Sequence, residues 1–374
     1  MSKVKKIIYA LSTLSGTIIG VGLFSLPYIT LKVGFWVILG YFLILGAIAV
    51  IIHLFFGELS LKTPDFKRLP GFAEIYLGKK GKTVAYISTI LGLFGAILAY
   101  LLVGGEFLAN LISPILGGSA LIYTVIYFIV GSFLIFFGIK AICKVEFWGL
   151  VLFFIILILL FFKGKFLINT GNLFIGSSEA NIKNLFLPYG PVLFSIWGAT
   201  LIPEIEEMLG ENKNLIKKII PIAILIPILV YLFFIYLILG ITGNQTTESA
   251  LTGLRDFLGP AIFNIGLLFG LLTTFTSFIA VGLTLKKTLW YDLKLPKSAA
   301  WSLTCFLPLI LFLIGIKNFI PVISFVGGVM LGIDGILILL MYRKIKTGKL
   351  CFLAGPLILI FALGIIYEIM YFFK

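Results

Sequence analysis

The chain has 374 residues, of which 61% are hydrophobic and only 12% charged, and its mean hydropathy is +1.19. A soluble domain carries about 25% charged residues, so a soluble enzyme or binding module is excluded and a helical membrane protein with many spans is indicated. The net charge of +14 lies in short loops between apolar runs, which reads as membrane topology rather than as a nucleic-acid footprint.

Eleven apolar segments predict eleven spans, over residues 6–31, 34–60, 83–111, 119–139, 146–163, 187–208, 216–242, 258–285, 298–316, 319–342 and 351–373. They make one transmembrane domain over 1–374, and the first segment lacks a cleavage pattern, so it is expected to stay in the mature protein. Span 1 holds Gly16-Thr17-Ile18-Ile19-Gly20-Val21-Gly22, followed by Leu23 to Pro27. Each glycine costs a helix about 1 kcal/mol relative to alanine. A broken backbone at membrane depth survives only inside protein or beside a wet cavity. A break at Gly20 to Gly22 leaves free N–H groups near Leu23, which suit a carboxylate. It also leaves free carbonyls near Ile18 and Ile19, which suit an ammonium group or a small cation. The alternative is close glycine packing between helices, for which Gly16-xxx-Gly20 has the spacing.

Span 2 carries His53, expected to be packed or hydrogen-bonded, and ends in Gly57-Glu58-Leu59-Ser60. Span 3 carries Tyr100, a candidate pocket wall, and Glu106 after two glycines. Span 5 is followed by the longest loop, whose Asn169, Gly171, Asn172, Ser177, Ser178 and Asn181 are turn residues. Span 6 offers a second break at Ser195 to Gly198, span 8 a hydroxyl cluster from Thr273 to Ser277, and span 10 Asp334 between two glycines. Ionisable groups at depth are functional candidates by default; Glu106 and Asp334 are read as gating or proton-carrying groups. Glu58 and Glu204 fall near the inner surface, where pairing with loop lysines is expected.

Gly22-Leu-Phe-Ser-Leu26-Pro27 is echoed by Gly198-Ala-Thr-Leu-Ile202-Pro203. Five spans separate the two starts, so the segments cross in opposite senses, as in an inverted repeat of spans 1–5 (about 6–163) against spans 6–10 (about 187–342), with span 11 (about 351–373) as an extra helix. Placing the N-terminus inside puts 22 of the 29 Lys and Arg residues on inner segments and the C-terminus outside.

The run Gly16 to Pro27 resembles the first-helix motif of the amino acid–polyamine–organocation superfamily. Gly57 to Ser60, followed by Pro64, Leu69, Pro70, Gly71 and Tyr76, is similar to the second helix and loop of its amino acid/auxin and aromatic amino acid permease groups. The resemblance implies an all-α, leucine-transporter-type fold with a 5+5 inverted repeat and broken helices 1 and 6. It implies substrate contacts from Thr17, Ile18, Gly20, Val21 and Gly22 on one wall and Phe194, Ser195, Trp197 and Gly198 on the other. It implies an ion site from Gly16, Ile19, Thr273, Thr276 and Ser277, unless those hydroxyls only bond back to their own helix. Two departures stand out. Some proton-coupled relatives carry a lysine in span 5, and Glu146 to Phe162 has none; some carry a glutamate after the second break, where this chain reads Ala199-Thr200.

The expectation is a secondary active transporter of the cytoplasmic membrane, moving a neutral, hydrophobic or aromatic amino acid by alternating access. A sodium or proton gradient would drive it, with no cofactor beyond that ion and no nucleic-acid partner. The alternative is a non-pumping receptor or channel subunit on the same fold, as in spore-germinant receptors. Catalysis is not expected, because the carboxylates are scattered and His53 is the single histidine.

Overall fold

The computed structural model describes residues 3–63, 67–138, 142–177, 184–345 and 351–372; Pro64, Ser178 and Asn181 lie outside them. The described chain is all helical. In order it forms α1 (Lys3–Ile18), α2 (Gly22–Val33), α3 (Phe35–Lys62), α4 (Leu69–Leu116), α5 (Ala120–Phe137), α6 (Ile142–Gly164), α7 (Tyr189–Ile196), α8 (Ile202–Leu209), α9 (Ile216–Thr242), α10 (Pro260–Lys287), α11 (Lys297–Leu313), α12 (Phe319–Phe325), α13 (Gly332–Ile345) and α14 (Ala354–Phe372). Spans 1 and 6 are each built from two helices, α1 with α2 and α7 with α8.

Two features depart from the expected spans. α4 starts at Leu69, well before the expected span, with Pro70 in its first turn, and bends at Gly78, where φ is +76°. Proline is suited to a helix start, where the missing N–H is not needed. Span 10 is interrupted by a π-helical turn over Val326–Leu331, with Gly327 and Gly328 inside it. Single π turns widen a helix locally and recur at functional sites.

Among the described residues, eight helices are long and apolar enough to cross a membrane, or nine if the bent pair α1 and α2 is one span. The sequence leads to an expectation of eleven, and two features bear on the difference. Tyr189–Gln245 counts as one continuous run although it carries α7, α8 and α9, and α11 is a shorter apolar helix than the rest.

In lipid the hydrophobic effect does little to hold helices together, so close approach through small residues takes over. α10 packs along α4, α5 and α6, and α9 packs on α1, α2 and α3. Gly270 admits the Phe107 ring and Gly131 admits the Phe278 ring. Beside the break in span 1, Phe24 meets Phe107, Phe234 and Phe269 edge-on at centroid distances of 5.0, 6.0 and 6.3 Å. Each such pair contributes about 0.5–1.5 kcal/mol beyond its buried area. This cluster anchors the start of α2 to α4, α9 and α10.

Candidate functional site

α1 and α2 meet at 49° across Ile19 to Val21. The Gly20 N–H turns onto Ile18 O (2.8 Å), and the Leu23 N–H turns onto Gly20 O (3.2 Å). In an unbroken α-helix those two N–H groups bond to the carbonyls of Gly16 and Ile19. The break therefore takes the helical donors away from both carbonyls. Glycine is required here by contact. A Cβ on Gly22 would lie 3.0 Å from Ser195 Cβ and 3.1 Å from Phe194 Cδ1, and one on Gly20 would collide with the Tyr100 hydroxyl. The start of α2 thus lies directly against the end of α7.

In span 6, α7 ends at Ile196, the chain is extended at Trp197 (φ −88°, ψ 125°) and turns at Gly198 (φ −138°, ψ 13°) into a 3₁₀ turn over Ala199–Leu201. The buried Gly198 N–H, outside any helical bonding, donates to His53 Nε2 (2.9 Å). That bond makes Nε2 the acceptor, which assigns the proton to Nδ1, and Nδ1–H donates to Ala49 O (2.6 Å). The fully buried imidazole lies edge-on to Trp197 at 5.3 Å. His53 is therefore a neutral cap on the second break. Tyr231 on α9 ties the two breaks together: its hydroxyl lies 2.6 Å from Ile18 O and 2.7 Å from Ser195 O. One proton serves both carbonyls as a shared bond. Nothing in the sequence distinguishes Tyr231 from the other tyrosines, whereas a histidine in an apolar span stands out.

Between the breaks lies a cavity of about 90 Å³. Its wall includes Thr17, Ile18, Gly20, Gly22, Tyr100, Phe194, Ser195 and Trp197 of the expected substrate residues, together with Ser88, Thr89, Thr200 and Asp334. Val21 is buried outside that wall, and Gly198 is packed against Leu14 and Ile18. Asp334 accepts a hydrogen bond from Ser88 Oγ at 2.5 Å. Two buried polar atoms of wall residues, Thr89 Oγ1 and Trp197 Nε1, have no hydrogen-bond partner. Each such orphan costs about 1–3 kcal/mol, a cost that a polar ligand or water in the cavity removes. Ligand pockets usually measure about 300–1,000 Å³, so this chamber is contracted around the breaks.

A second cavity, about 410 Å³, lies between α1, α6 and α10, and all five expected ion residues, Gly16, Ile19, Thr273, Thr276 and Ser277, line it. The Thr273 and Thr276 hydroxyls donate to Phe269 O (2.9 Å) and Leu272 O (3.0 Å) of their own helix. Their oxygen lone pairs remain able to meet a cation. The hydroxyl-bearing Thr273, Thr276 and Ser277 thus share one cavity with Gly16 and Ile19 of span 1. Thr17 lines both cavities.

Glu106 stands apart from Asp334. It lines a different cavity of about 360 Å³ with Glu248 and Lys317, and accepts from Ser249 Oγ at 2.9 Å. At the end of the bundle where α8 reaches the N-terminal segment, Arg68 lies 3.7 Å from Glu204 on α8 and 3.1 Å from Asp292 beyond α10. The partner of Glu204 is therefore an arginine, and Glu58 pairs with Lys62 of its own helix at 3.5 Å. The buried acid there is Glu206, which the sequence does not single out. It accepts from Ser60 and pairs with Lys213 at 3.5 Å.

The model of the tryptophan/tyrosine permease family matches residues 3–370. Tyrosine-specific transport system 1 of Haemophilus influenzae is 28% identical over 289 residues, spanning 72% of this chain and 70% of that protein. Among solved structures, MHP1, a nucleobase-cation-symport-1 family transporter in a closed conformation with bromovinylhydantoin bound, superposes with a TM-score of 0.68 at 14% identity, over 91% of this chain and 80% of that one. MhsT in complex with L-phenylalanine gives 0.64 at 15% identity, over 98% and 99%. A manganese transporter of Eremococcus coleocola gives 0.66 at 12% identity, over 98% and 88%. These likenesses establish a transporter fold of the leucine-transporter type. The chain belongs to the tryptophan/tyrosine permease family, and it is a multi-pass membrane permease and not an enzyme.

Proposed function

We propose that this tryptophan/tyrosine permease carries an aromatic amino acid by alternating access, binding it in the chamber between the two helix breaks. The carrying observation is that both breaks open onto one cavity whose Thr89 and Trp197 polar atoms lack partners. At the start of α2 the Leu23 and Phe24 N–H groups turn back onto Gly20 O and Val21 O, which leaves the Gly22 N–H, on the cavity wall, for the substrate carboxylate. Ser195 O, bonded to Tyr231 through one lone pair, keeps a second for the ammonium group. Tyr100, Phe194 and Trp197 supply aromatic surface for the side chain. The tyrosine transport relative supports the same substrate class.

In this reading the chain has eleven spans, a 5+5 inverted repeat and one extra helix, with its N-terminus in the cytoplasm and its C-terminus outside. A sodium or proton gradient supplies the energy. The oxygen set of Gly16, Ile19, Thr273, Thr276 and Ser277 is the candidate sodium site, and Asp334 and Glu106 are candidate gating or proton groups. Arg68, held by Glu204 and Asp292, closes the inner end.

The test is a thermal-shift screen of purified protein against the twenty amino acids, with and without sodium and across pH. A ligand at a hundred times its Kd stabilises the folded state by about 2.7 kcal/mol. L-Tyrosine, L-tryptophan or L-phenylalanine should raise the melting temperature. If sodium is the coupling ion, it should add to that rise, and Thr276→Ala with Ser277→Ala should abolish the addition. No response to any aromatic amino acid would defeat the reading, and binding without accumulation in proteoliposomes would favour a sensor.

A further inference from the structure

Glu368, on the extra helix α14, is buried to within 1% of full enclosure, while most of that helix faces outward. Its carboxyl seats in two glycine notches. A Cβ on Gly190 of α7 would lie 2.6 Å from Glu368 Oε1, and one on Gly328 of the span-10 π turn would strike Glu368 Cγ. The Gly190 backbone N–H, in the first turn of α7, hydrogen-bonds to the carboxyl, and Oε2 is buried with no partner. The titratable groups that interact with it are Tyr41 on α3, Tyr189 on α7 and Tyr367 on α14 itself. The Tyr189 hydroxyl is also buried without a hydrogen bond. No lysine, arginine or histidine among the described residues forms an ion pair with Glu368.

Resting on the transport reading above, we propose that Glu368 is a proton-binding site of the transport cycle, neutralised while α14 is seated on α7 and the π turn and ionised when they part. The step is the uptake of one proton by one carboxylate to give the acid, with Oε2 carrying the hydrogen and Oε1 accepting from Gly190. A seated carboxylate would be left without a cation in a membrane interior, a costly arrangement. Protonation removes that cost, so it favours the seated state. The two elements that Glu368 touches are the outer half of the broken span 6 and the interruption of span 10, both of which border the substrate chamber through Phe194 and Val326. Asp334 and Glu106 differ from it, since each carboxyl is held by a serine hydroxyl.

The experiment uses full-length protein in proteoliposomes with labelled L-tyrosine, L-tryptophan and L-phenylalanine. Wild type should accumulate its substrate at least tenfold when the outside is acid, with proton entry seen by an internal pH dye. Glu368→Gln, an isostere of the neutral acid, should keep substrate exchange at equal pH but lose acid-driven accumulation. Accumulation by Glu368→Gln at the wild-type level overturns the proposal. So does loss of exchange in that variant, because the neutral isostere should still cycle. Infrared spectroscopy in lipid at neutral pH gives a readout independent of transport: wild type should show a protonated-carboxyl band that Glu368→Gln lacks, and the absence of any difference overturns the proposal. A wild type that moves none of the three amino acids while showing that band would defeat the functional reading and leave the proton site standing.

Discussion

Tyr231→Phe removes one hydroxyl from the point where the two breaks meet. The ring should stay in place, since it packs against Phe42 at a centroid distance of 6.0 Å and Tyr231 is fully buried. What is lost is the donor for Ile18 O at 2.6 Å and Ser195 O at 2.7 Å. Ile18 O keeps the Gly20 N–H, so the uncompensated acceptor is Ser195 O. Stranding one buried acceptor costs about 1–3 kcal/mol. At about 2–4 °C per kcal/mol for a mid-sized protein, the melting temperature should fall by about 2–12 °C. The breaks also lose the tie that sets their spacing, so substrate affinity should suffer by a similar free energy, or about 5- to 150-fold in KM. The assays are thermal unfolding in detergent and uptake of labelled L-tyrosine in proteoliposomes. Tyr291→Phe, at an exposed stacked tyrosine, is the matched control and should change neither. Wild-type melting temperature and KM in Tyr231→Phe would refute the claim that this hydroxyl joins the two breaks.

Three further outcomes are expected. His53→Leu strands the Gly198 N–H and should lower stability by about 1–3 kcal/mol, while His53→Gln, which keeps an acceptor, should restore part of it; equal melting temperatures for the two variants would rule out the cap. Gly22→Ala forces a methyl group against Ser195 and Phe194, an overpacking worth about 1–3 kcal/mol, and should abolish uptake in a protein that still reaches the membrane; normal uptake would show that the breaks separate freely. Arg68→Ala removes two partly exposed pairs worth about 0–1 kcal/mol each, so melting should barely move while the inner end opens several-fold more often. The readout is the labelling rate of a Thr200→Cys reporter on the cavity wall, and an unchanged rate would refute the latch.

Much of the candidate site was legible because its residues are costly where they stand. Gly20 and Gly22 weaken a helix at membrane depth, and their echo at Gly198 marked the partner break in span 6. Gly16, Ile19, Thr273, Thr276 and Ser277 also come to one cavity, since helical spacing puts each group on a single face of its own span. Val21 and Gly198 share the motif but not the cavity wall: a break turns consecutive residues in different directions, and only the packing decides which face inward. The start of α4 at Leu69 and the π turn at Val326–Leu331 were not visible, because the first reads as a loop and the second keeps the composition of a helix.

By itself the sequence determined the medium and pointed to the weak points of the chain: apolar runs without charge must be helices in lipid, and the glycine cluster from Gly16 to Gly22 within one of them marks a candidate break. The tertiary structure decided what repairs those breaks. Tyr231 stands 213 residues from Ile18 in the chain, and His53 stands 145 residues from Gly198. Glu368 finds its place against Gly190 and Gly328, on elements that the chain reaches long before it. A hydrogen bond depends on distance and direction in space, and no local pattern of residues encodes either across such separations.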